Sequence, residues 1–309
     1  MNATKPSGHG YKSMGKSSSL WMLESKNLFD YLVGQLLSVY EVEEARSIIF
    51  LLVENKLGLR KIDVLANKSI NNPEPIAFLH PFVERLKQHE PIQYVLGETA
   101  FFGRQFFINP HVLIPRPETE ELVDIILKDY RLSDKLSQGL NSILDIGTGS
   151  GCIAVTLAKE IPQATVHAWD ISTDALAVAQ KNAEFLQTKV QFDQINILQP
   201  QLLNRDLPFD LVVSNPPYVT RAEIVHMRRN VTDYEPQLAL FVENDSPLVF
   251  YESIAAFCQT NLREQGACYV EINEQYALEV MRLFRDKGFI YTEILEDLFG
   301  KERFVKAIR

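Results

Sequence analysis

The motif Asn215-Pro216-Pro217-Tyr218 follows an apolar run, 210–214, and lies downstream of a glycine-rich turn at 145–151. An asparagine side-chain oxygen and a proline carbonyl can together accept two hydrogen bonds from one –NH2 group. Proline also adds no competing N–H donor. A glycine turn after a strand is typical of sites for nucleotide-like ligands. Together the two motifs predict a site that holds such a ligand beside a planar nitrogen acceptor.

The glycine turn and the strand after it predict the cofactor half of this site. The turn consists of Gly147, Thr148, Gly149, Ser150 and Gly151. Its glycines let the backbone pass close to a ligand, and the next helix begins with unpaired N–H groups. Asp170 ends the following predicted strand, where a carboxylate can accept both hydroxyls of a ribose. Such a carboxylate serves NAD as well as S-adenosylmethionine, and it could also simply cap a helix.

Two further residues are expected to contact an adenine ring. Asn196 ends the third predicted strand and could bind the exocyclic amino group, while Ile197 could pack on the face of the ring. An asparagine at the end of a strand also commonly forms a turn. Asn196 is therefore interpreted either as an adenine contact or as a turn-forming residue.

The acceptor half of the site has to activate a weak nucleophile. An amide nitrogen reacts poorly because its lone pair is delocalised into the carbonyl. Acceptors at the Asn215 side chain and the Pro216 carbonyl would hold its hydrogens and favour a pyramidal nitrogen as the new bond forms. Tyr218 can stack on a planar acceptor, and Pro217 keeps the turn rigid. We expect Asn215, Pro216 and Tyr218 to be catalytic, with Asn215 also contacting the cofactor.

The pairing of the two motifs predicts methyl transfer from S-adenosylmethionine to an amide or amine nitrogen. The run 115–121, Pro-Arg-Pro-Glu-Thr-Glu-Glu, supplies two more candidates for substrate binding, Arg116 and Glu118. Both lie beside prolines, which restrict the backbone and could fix the side chains toward a cleft. A helix start with acidic residues in its first turn explains the same run.

Alternating strand and helix patterns position these motifs. Strands are predicted at 143–145, 165–170, 190–196, 209–214, 267–272, 291–295 and 303–308, and helices at 151–160, 173–185 and 276–287. Such alternation is typical of a parallel sheet covered on both faces. The last two strands must pair antiparallel, because the turn at Gly300 leaves no room for a crossover helix. We expect the Rossmann-like, seven-stranded α/β fold of S-adenosylmethionine-dependent methyltransferases.

The predicted domains are a disordered tail at 1–22, a helical substrate-docking domain at 23–90, a β-hairpin linker at 91–114 and a catalytic domain at 115–309. In the helical part, Leu28, Leu32, Leu36 and Tyr40 recur at intervals of four, and a second helix ends near Gly58. Short β-prone runs at 91–97, 101–108 and 112–114, broken by Gly and Asn-Pro, predict the linker strands.

Composition restricts the class of protein and its partners. With 46% hydrophobic and 23% charged residues, the chain is typical of globular proteins, and it has no apolar stretch that could span a bilayer. A net charge of −9 argues against stable binding to nucleic acid. The three cysteines lack metal-ligand spacing and predict buried thiols. We expect a cytoplasmic monomer without a metal site.

Several segments resemble the peptide chain release factor glutamine methyltransferase family, PrmC or HemK. They are 93–97, 101–103, 112–120 and 234–240, together with the glycine turn and Asn-Pro-Pro-Tyr. The resemblance implies methylation of the glutamine amide in the Gly-Gly-Gln loop of bacterial class 1 release factors. It implies that 147–151 and Asp170 bind cofactor, that 215–218 hold the glutamine, and that the helical domain helps to hold the protein substrate. Asn196, where an acidic residue is common, and the turn 245–248 depart from the family pattern.

Three other functions stay open on the residues alone. The same four-residue motif also serves adenine amines in DNA or RNA, although a duplex substrate would need base flipping and a basic groove. A ribosomal protein glutamine is another possible acceptor. A non-enzymatic binding module that keeps the cofactor is the third reading, and the intact Asn215 and Tyr218 argue against it.

Overall fold

The computed structural model describes residues 24–132, 142–199 and 208–309. Its contacts divide the chain into two compact units, Met1–Leu96 and Gly97–Arg309. The predicted tail at 1–22 lies outside the described residues. Within the described residues, no helix is both long enough and apolar enough to cross a membrane.

The first unit is helical. Its helices are α1 Ser25–Leu36, α2 Val42–Leu57, α3 Lys61–Leu65, α4 Pro75–Lys87 and α5 Ile92–Leu96. Leu28, Leu32 and Leu36 are buried in one cluster with apolar residues of the other helices, as their spacing predicts. Helix α2 ends at Gly58, whose φ of 66° is the left-handed conformation of a C-terminal glycine. Tyr40 lies beyond α1, so its predicted place on that helix is wrong; its hydroxyl donates to the Leu86 carbonyl.

The strand predicted over 91–97 is also wrong, because this segment forms α5. Pro91 suits a helix start, and Ile92 and Val95 are one turn apart and enter the helical core. Gly97, with a φ of 80°, ends the turn. No strand forms over 112–114 either.

The second unit is α/β. Its strands are β1 Glu98–Phe101, β2 Arg104–Phe107, β3 Ser142–Ile146, β4 Thr165–Asp170, β5 Val190–Gln194, β6 Phe209–Ser214, β7 Val219–Thr220, β8 Phe241–Val242, β9 Leu262–Glu271, β10 Tyr291–Glu296 and β11 Glu302–Ile308. Its helices are α6 Pro117–Leu132, α7 Cys152–Glu160, α8 Thr173–Phe185, α9 Arg229–Thr232, α10 Gln237–Leu240, α11 Val249–Asn261 and α12 Ala277–Asp286, with 3₁₀ helices at Arg221–His226 and Glu274–Tyr276.

The main sheet of the described residues has seven strands in the order β10-β11-β9-β6-β3-β4-β5. Strand β11 pairs antiparallel with β10 and β9, and the other neighbouring pairs are parallel. The predicted seven-stranded α/β fold with an antiparallel closing hairpin is therefore confirmed. A separate hairpin joins β1 and β2 through Phe102 and Gly103, which both have the positive φ of a tight two-residue turn.

Successive strand residues point to opposite faces of the sheet and fill two cores. Leu144 and Val212 pack with apolar residues of α11 and α12, whereas Ile143 and Leu211 pack with α6, α7 and α8. The predicted buried thiols are confirmed, since Cys152, Cys258 and Cys268 are free and buried. With both faces covered, the carboxyl ends of the parallel strands are left as the place for a ligand.

Candidate active site

A cavity of about 290 Å³ lies in the second unit, where the parallel strands β3, β4 and β6 end. The predicted site residues that line it are Arg116, Gly147, Thr148, Gly149, Ser150, Asp170, Asn196, Ile197, Asn215, Pro216 and Pro217. Gly151, Glu118 and Tyr218 are not among the lining residues that the structure describes. The cavity therefore brings the glycine turn and the asparagine motif to one place.

The glycine turn needs glycine for two physical reasons. Gly147, Gly149 and Gly151 have φ values of 74°, 55° and 80°, a region that other residues adopt only with strain. Gly151 precedes α7, and a Cβ atom there would lie 3.0 Å from the Cβ of Ala179. The turn is further fixed by Asp145, which accepts from the Thr148 hydroxyl at 2.7 Å.

Asp170 connects the end of β4 to the glycine turn. One carboxylate oxygen accepts from the Gly149 backbone N–H at 2.8 Å, and the other accepts from the Ser172 N–H at 2.9 Å. Burial raises the pKa of Asp170, while these backbone bonds act in the opposite direction. Each carboxylate oxygen keeps further acceptor capacity for a ligand hydroxyl. Asp170 therefore combines a structural bond with a position on the cavity wall.

Asn196 lies in a turn two residues after β5 rather than at the end of the strand. Its side-chain oxygen accepts from the Leu198 N–H at 3.0 Å, so part of its hydrogen-bonding capacity forms the turn. Ile197 beside it is buried and lines the cavity with Ile171 and Leu198. This end of the cavity offers an apolar wall with an amide group near it.

Strand register places the two halves of the site together. Ile146 pairs with Ser214, and the Ser214 hydroxyl donates to the Ile146 carbonyl at 2.7 Å. The residues that follow, Gly147 and Asn215, therefore leave neighbouring parallel strands at the same level. Adjacent strands are about 4.8 Å apart, so a ligand on the glycine turn lies within reach of Asn215.

A hydrogen-bonded chain holds the Asn215 side chain. Its Nδ2 donates to the Thr119 hydroxyl oxygen at 3.0 Å, and the Thr119 hydroxyl donates to Glu271 Oε2 at 2.7 Å. The Tyr218 hydroxyl donates to the other oxygen, Glu271 Oε1, at 3.1 Å. The Asn215 side-chain oxygen is left to accept from a ligand. Tyr218 is thus tied to Glu271 and is not among the described lining residues.

Burial dominates the electrostatics of two acidic groups near the site. It raises the pKa of Glu271 to about 7, against the hydrogen bonds from Thr119 and Tyr218. Burial likewise raises the pKa of Asp145 to about 7, against the bonds from Thr148 and Ala154. Burial and the Glu271 charge raise the pKa of Tyr218, so its phenol stays protonated. Protonation of the carboxyls therefore changes near neutral pH.

Arg116 forms an ion pair with Glu235, with 2.6 Å between Nη2 and Oε1. The other Glu235 oxygen accepts from the Ile114 backbone N–H at 3.2 Å, and Glu235 is 4% exposed. The predicted substrate role of Arg116 remains a prediction, and the structure shows that part of its charge is neutralised. A short parallel pairing of Val219 with Phe241 holds the segments after the asparagine motif and after Glu235 together.

Asn182 links the β1–β2 hairpin to the glycine turn. Its side-chain oxygen accepts from the Phe107 N–H at 2.7 Å, and its Nδ2 donates to the carbonyls of Phe107 and Ser150, each at 2.9 Å. Asn182 is fully buried, so its amide depends on these partners for its hydrogen bonds. The hairpin and the turn are therefore one hydrogen-bonded assembly.

Sequence reasoning missed Thr119, Glu235 and Glu271. Thr119 directly follows Glu118, one of the two candidates selected from 115–121, and only its side-chain partners, Asn215 and Glu271, distinguish it. Glu271 follows the apolar run 268–270 at the end of a strand, which is the same signal that identified Asp170. That signal could have found Glu271, whereas its bond to a helix residue far earlier in the chain depends on the fold.

Comparison with known proteins gives two family matches. The methyltransferase small domain matches residues 131–232, and the PrmC N-terminal domain matches residues 32–97. Among solved structures, the chain is similar to the 16S rRNA N2 G1207 methyltransferase (RsmC) of T. thermophilus. That similarity has a TM-score of 0.48 and 17% identity, over 69% of this chain and 49% of the other.

Two curated relatives match almost the whole chain. The release factor glutamine methyltransferase of Flavobacterium psychrophilum is 42% identical over 285 residues, which cover 91% of this chain and 98% of that protein. The release factor glutamine methyltransferase of Bacteroides thetaiotaomicron is 40% identical over 280 residues, which cover 90% of this chain and 98% of that protein. Both relatives carry the same name.

Proposed function

The chain belongs to the release factor glutamine methyltransferase family, and we propose that it methylates a glutamine side-chain amide of peptide chain release factors. The methyl donor would be S-adenosylmethionine, and the acceptor would be the glutamine of the Gly-Gly-Gln loop in class 1 release factors. The observation that carries the proposal is the orientation of Asn215. Its NH2 group is bound to Thr119, which leaves its oxygen for the acceptor amide beside the glycine turn.

The residues of the cavity fit S-adenosylmethionine. The carboxylate of Asp170 would accept the ribose hydroxyls, since its oxygens keep acceptor capacity beyond their backbone bonds. Ile197 and Leu198 supply an apolar wall for an adenine ring, and Asn196 Nδ2 could donate to it. The glycine turn lets the backbone approach the rest of the molecule. When bound, this cofactor supplies a methyl group on a positively charged sulfur.

The acceptor amide would be held by two oxygens. The Asn215 side chain and the Pro216 carbonyl each accept one hydrogen of the glutamine NH2, so the nitrogen is directed along the strand ends toward the glycine turn. This arrangement favours the pyramidal nitrogen of the transition state over the planar nitrogen of the ground state. After transfer the nitrogen is cationic and acidic, and it can lose its proton to solvent without a dedicated base.

The substrate is a protein, so we also propose that residues outside the cavity bind it. The helical unit is the candidate, and its match to the PrmC N-terminal domain supports this role. Helix α3 presents Ile62 and Leu65 to solvent, at 60% and 63% exposure. Apolar side chains that are exposed in the free protein contribute to binding when a partner buries them. The monomeric state expected from the sequence stays a prediction.

Mass spectrometry tests the proposed function. Purified class 1 release factor is incubated with the enzyme and S-adenosylmethionine that carries a labelled methyl group, and the peptides are sequenced. We expect one label on the glutamine of Gly-Gly-Gln and none on a release factor in which that glutamine is replaced by alanine. Label on DNA, RNA or a ribosomal protein, with an unlabelled release factor, would contradict the proposal.

A further inference from the structure

Glu271 lies beside the acceptor motif at the end of a neighbouring strand. Ser214 of β6 pairs with Val270 of β9, so Asn215 and Glu271 follow at the same level of the sheet. Glu271 is 1% exposed, and each of its oxygens accepts one hydroxyl hydrogen. Burial of a carboxyl costs folding free energy that its hydrogen bonds have to offset. The contacts of Glu271 suggest what it does at this position.

The directions of the hydrogen bonds follow from the charge on Glu271. An ionised carboxylate can only accept, so the hydroxyls of Thr119 and Tyr218 must both donate to it. Thr119 has one hydroxyl hydrogen, and that hydrogen is now used. Toward Asn215 its oxygen can therefore only accept, and Asn215 must turn its NH2 group to Thr119. The charge on Glu271 thus determines which side of the Asn215 carboxamide carries the oxygen.

We propose that Glu271 is a positioning residue that acts through Thr119 to aim the Asn215 oxygen at the acceptor amide; this inference rests on the proposed function. A flipped Asn215 would present its own NH2 to the glutamine NH2. Two donors facing each other form no hydrogen bond, so the acceptor nitrogen would lose one of its two partners. Through its second oxygen, Glu271 also fixes the Tyr218 side chain behind the same motif.

Protonation of Glu271 would reverse the direction of the hydrogen bonds that run from Asn215 through Thr119 to Glu271. Tyr218 and Thr119 bind its oxygens, Arg303 on β11 favours the charged form, and Glu118 on α6 opposes it. The Tyr251 hydroxyl of α11 donates to its backbone carbonyl. With burial as the largest cause, the pKa is raised to about 7. A protonated Glu271 can donate to Thr119, which then can donate to the Asn215 oxygen, so methyl transfer should slow as the pH falls through about 7.

A double-mutant cycle tests this inference. Thr119→Val removes the hydroxyl at nearly constant shape, Glu271→Leu removes both acceptor oxygens, and Thr119→Ser is the matched control that keeps the hydroxyl. We expect each of the first two changes to lower kcat on release factor by roughly tenfold or more, and the double variant to be no slower than the slower single one. Thr119→Ser should stay close to the parent enzyme, and the Kd for S-adenosylmethionine should be unchanged in all four.

Additive losses in the double variant would overturn the inference, because Glu271 would then act independently of Thr119. A loss in Thr119→Ser equal to that in Thr119→Val would do the same. A parent enzyme that leaves release factor unmethylated would refute the proposed function and this inference with it. An active parent with an additive cycle would refute the inference alone.

A second test uses Glu271→Gln and includes one measurement, of stability, that does not depend on turnover. Glu271→Gln keeps an acceptor oxygen and cannot ionise, so its unfolding free energy in urea should vary less between pH 5 and 8 than that of the parent protein. Its kcat should also lack the decrease below about pH 7 that we expect in the parent. If parent and variant share the same pH profile in both measurements, Glu271 does not control the orientation of Asn215.

Discussion

The carboxylate of Asp170 accepts a hydrogen bond from the backbone N–H of Gly149, with 2.8 Å between nitrogen and oxygen. This bond connects the end of β4 to the glycine turn that follows β3. The group proposed to bind the ribose therefore also fixes the backbone proposed to lie along the cofactor. A change at Asp170 should affect both contacts at once.

We expect Asp170→Asn to weaken S-adenosylmethionine binding by roughly tenfold or more, because one acceptor oxygen is replaced by a donor. Isothermal titration calorimetry measures the Kd directly. Asp286→Asn, an exposed change at the end of α12, is the matched control and should bind like the parent. Equal affinity in Asp170→Asn and Asp286→Asn would remove Asp170 from the cofactor site.

Asn215→Ala should abolish methyl transfer while it changes the free energy of cofactor binding by only about 1–2 kcal/mol, the scale of one hydrogen bond. The reason is that Asn215 is proposed to hold the acceptor amide. Asn196→Ala is the contrasting variant, and at saturating cofactor it should keep its turnover. Single-turnover assays with labelled cofactor measure both. Turnover of Asn215→Ala at the parent rate would exclude Asn215 from the mechanism.

Gly151→Ala should destabilise the protein by roughly 1–3 kcal/mol, because its φ of 80° is strained for alanine and the added Cβ would lie 3.0 Å from Ala179. Gly34→Ala is the matched control. Gly34 is in the interior of α1 and has no atom within 4 Å of an added Cβ, so this change should stabilise its helix by about 0.5–1 kcal/mol. Urea denaturation of the two variants should show opposite signs.

Asp145 should make stability depend on pH. Its pKa rises from 3.8 in the ordinary case to about 7 in the folded protein, so the folded state holds the proton more tightly than the unfolded state does. The contribution of Asp145 to folding is complete below the unfolded pKa and is lost as the pH rises through about 7. We therefore compare the unfolding free energy of Asp145→Asn with that of the parent at two pH values. The difference, variant minus parent, should be larger at pH 8 than at pH 5, by on the order of a few kcal/mol. A parent curve that is flat over this range would contradict the expectation.

Changing Ile62 and Leu65 together to Glu should raise the KM for intact release factor and leave cofactor binding unaltered. Both side chains are exposed on α3, so the folded unit should tolerate the charges, whereas a docked partner would have to bury them. Ile290→Glu is the control, because Ile290 is 75% exposed in the other unit. Initial rates at varied release factor concentration measure the effect. An unchanged KM would place substrate docking away from α3.

The strand and helix patterns predicted the α/β unit well because each element there has a clear period and a clear end. The predicted strand at Thr165–Asp170 and the predicted helix at Thr173–Phe185 match the structure at both ends. The strand prediction for segment 91–97 was wrong because a short apolar run fits a strand and a buried helical turn equally well. Only the neighbouring helices, which take up Ile92 and Val95, decide between them.

The sequence predicted those residues of the candidate site that belong to a local motif. Asn215 and the glycine turn are found from sequence because strand ends in a parallel sheet meet at one edge. Thr119 was not found, because its importance comes from bonds to Asn215 and Glu271, which are far away in the chain. Such contacts between distant segments have no sequence period.

Asn182 affects whether the β1–β2 hairpin of this chain can be exchanged for that of a relative. One buried amide bonds to backbone groups of both Phe107 in the hairpin and Ser150 in the turn, so a grafted hairpin keeps these bonds only if its backbone follows the same path past Asn182 on α8. A hairpin with a different backbone path would leave this amide without partners and disturb the glycine turn at the cavity. Grafted hairpins should therefore be exchanged together with their α8 partner.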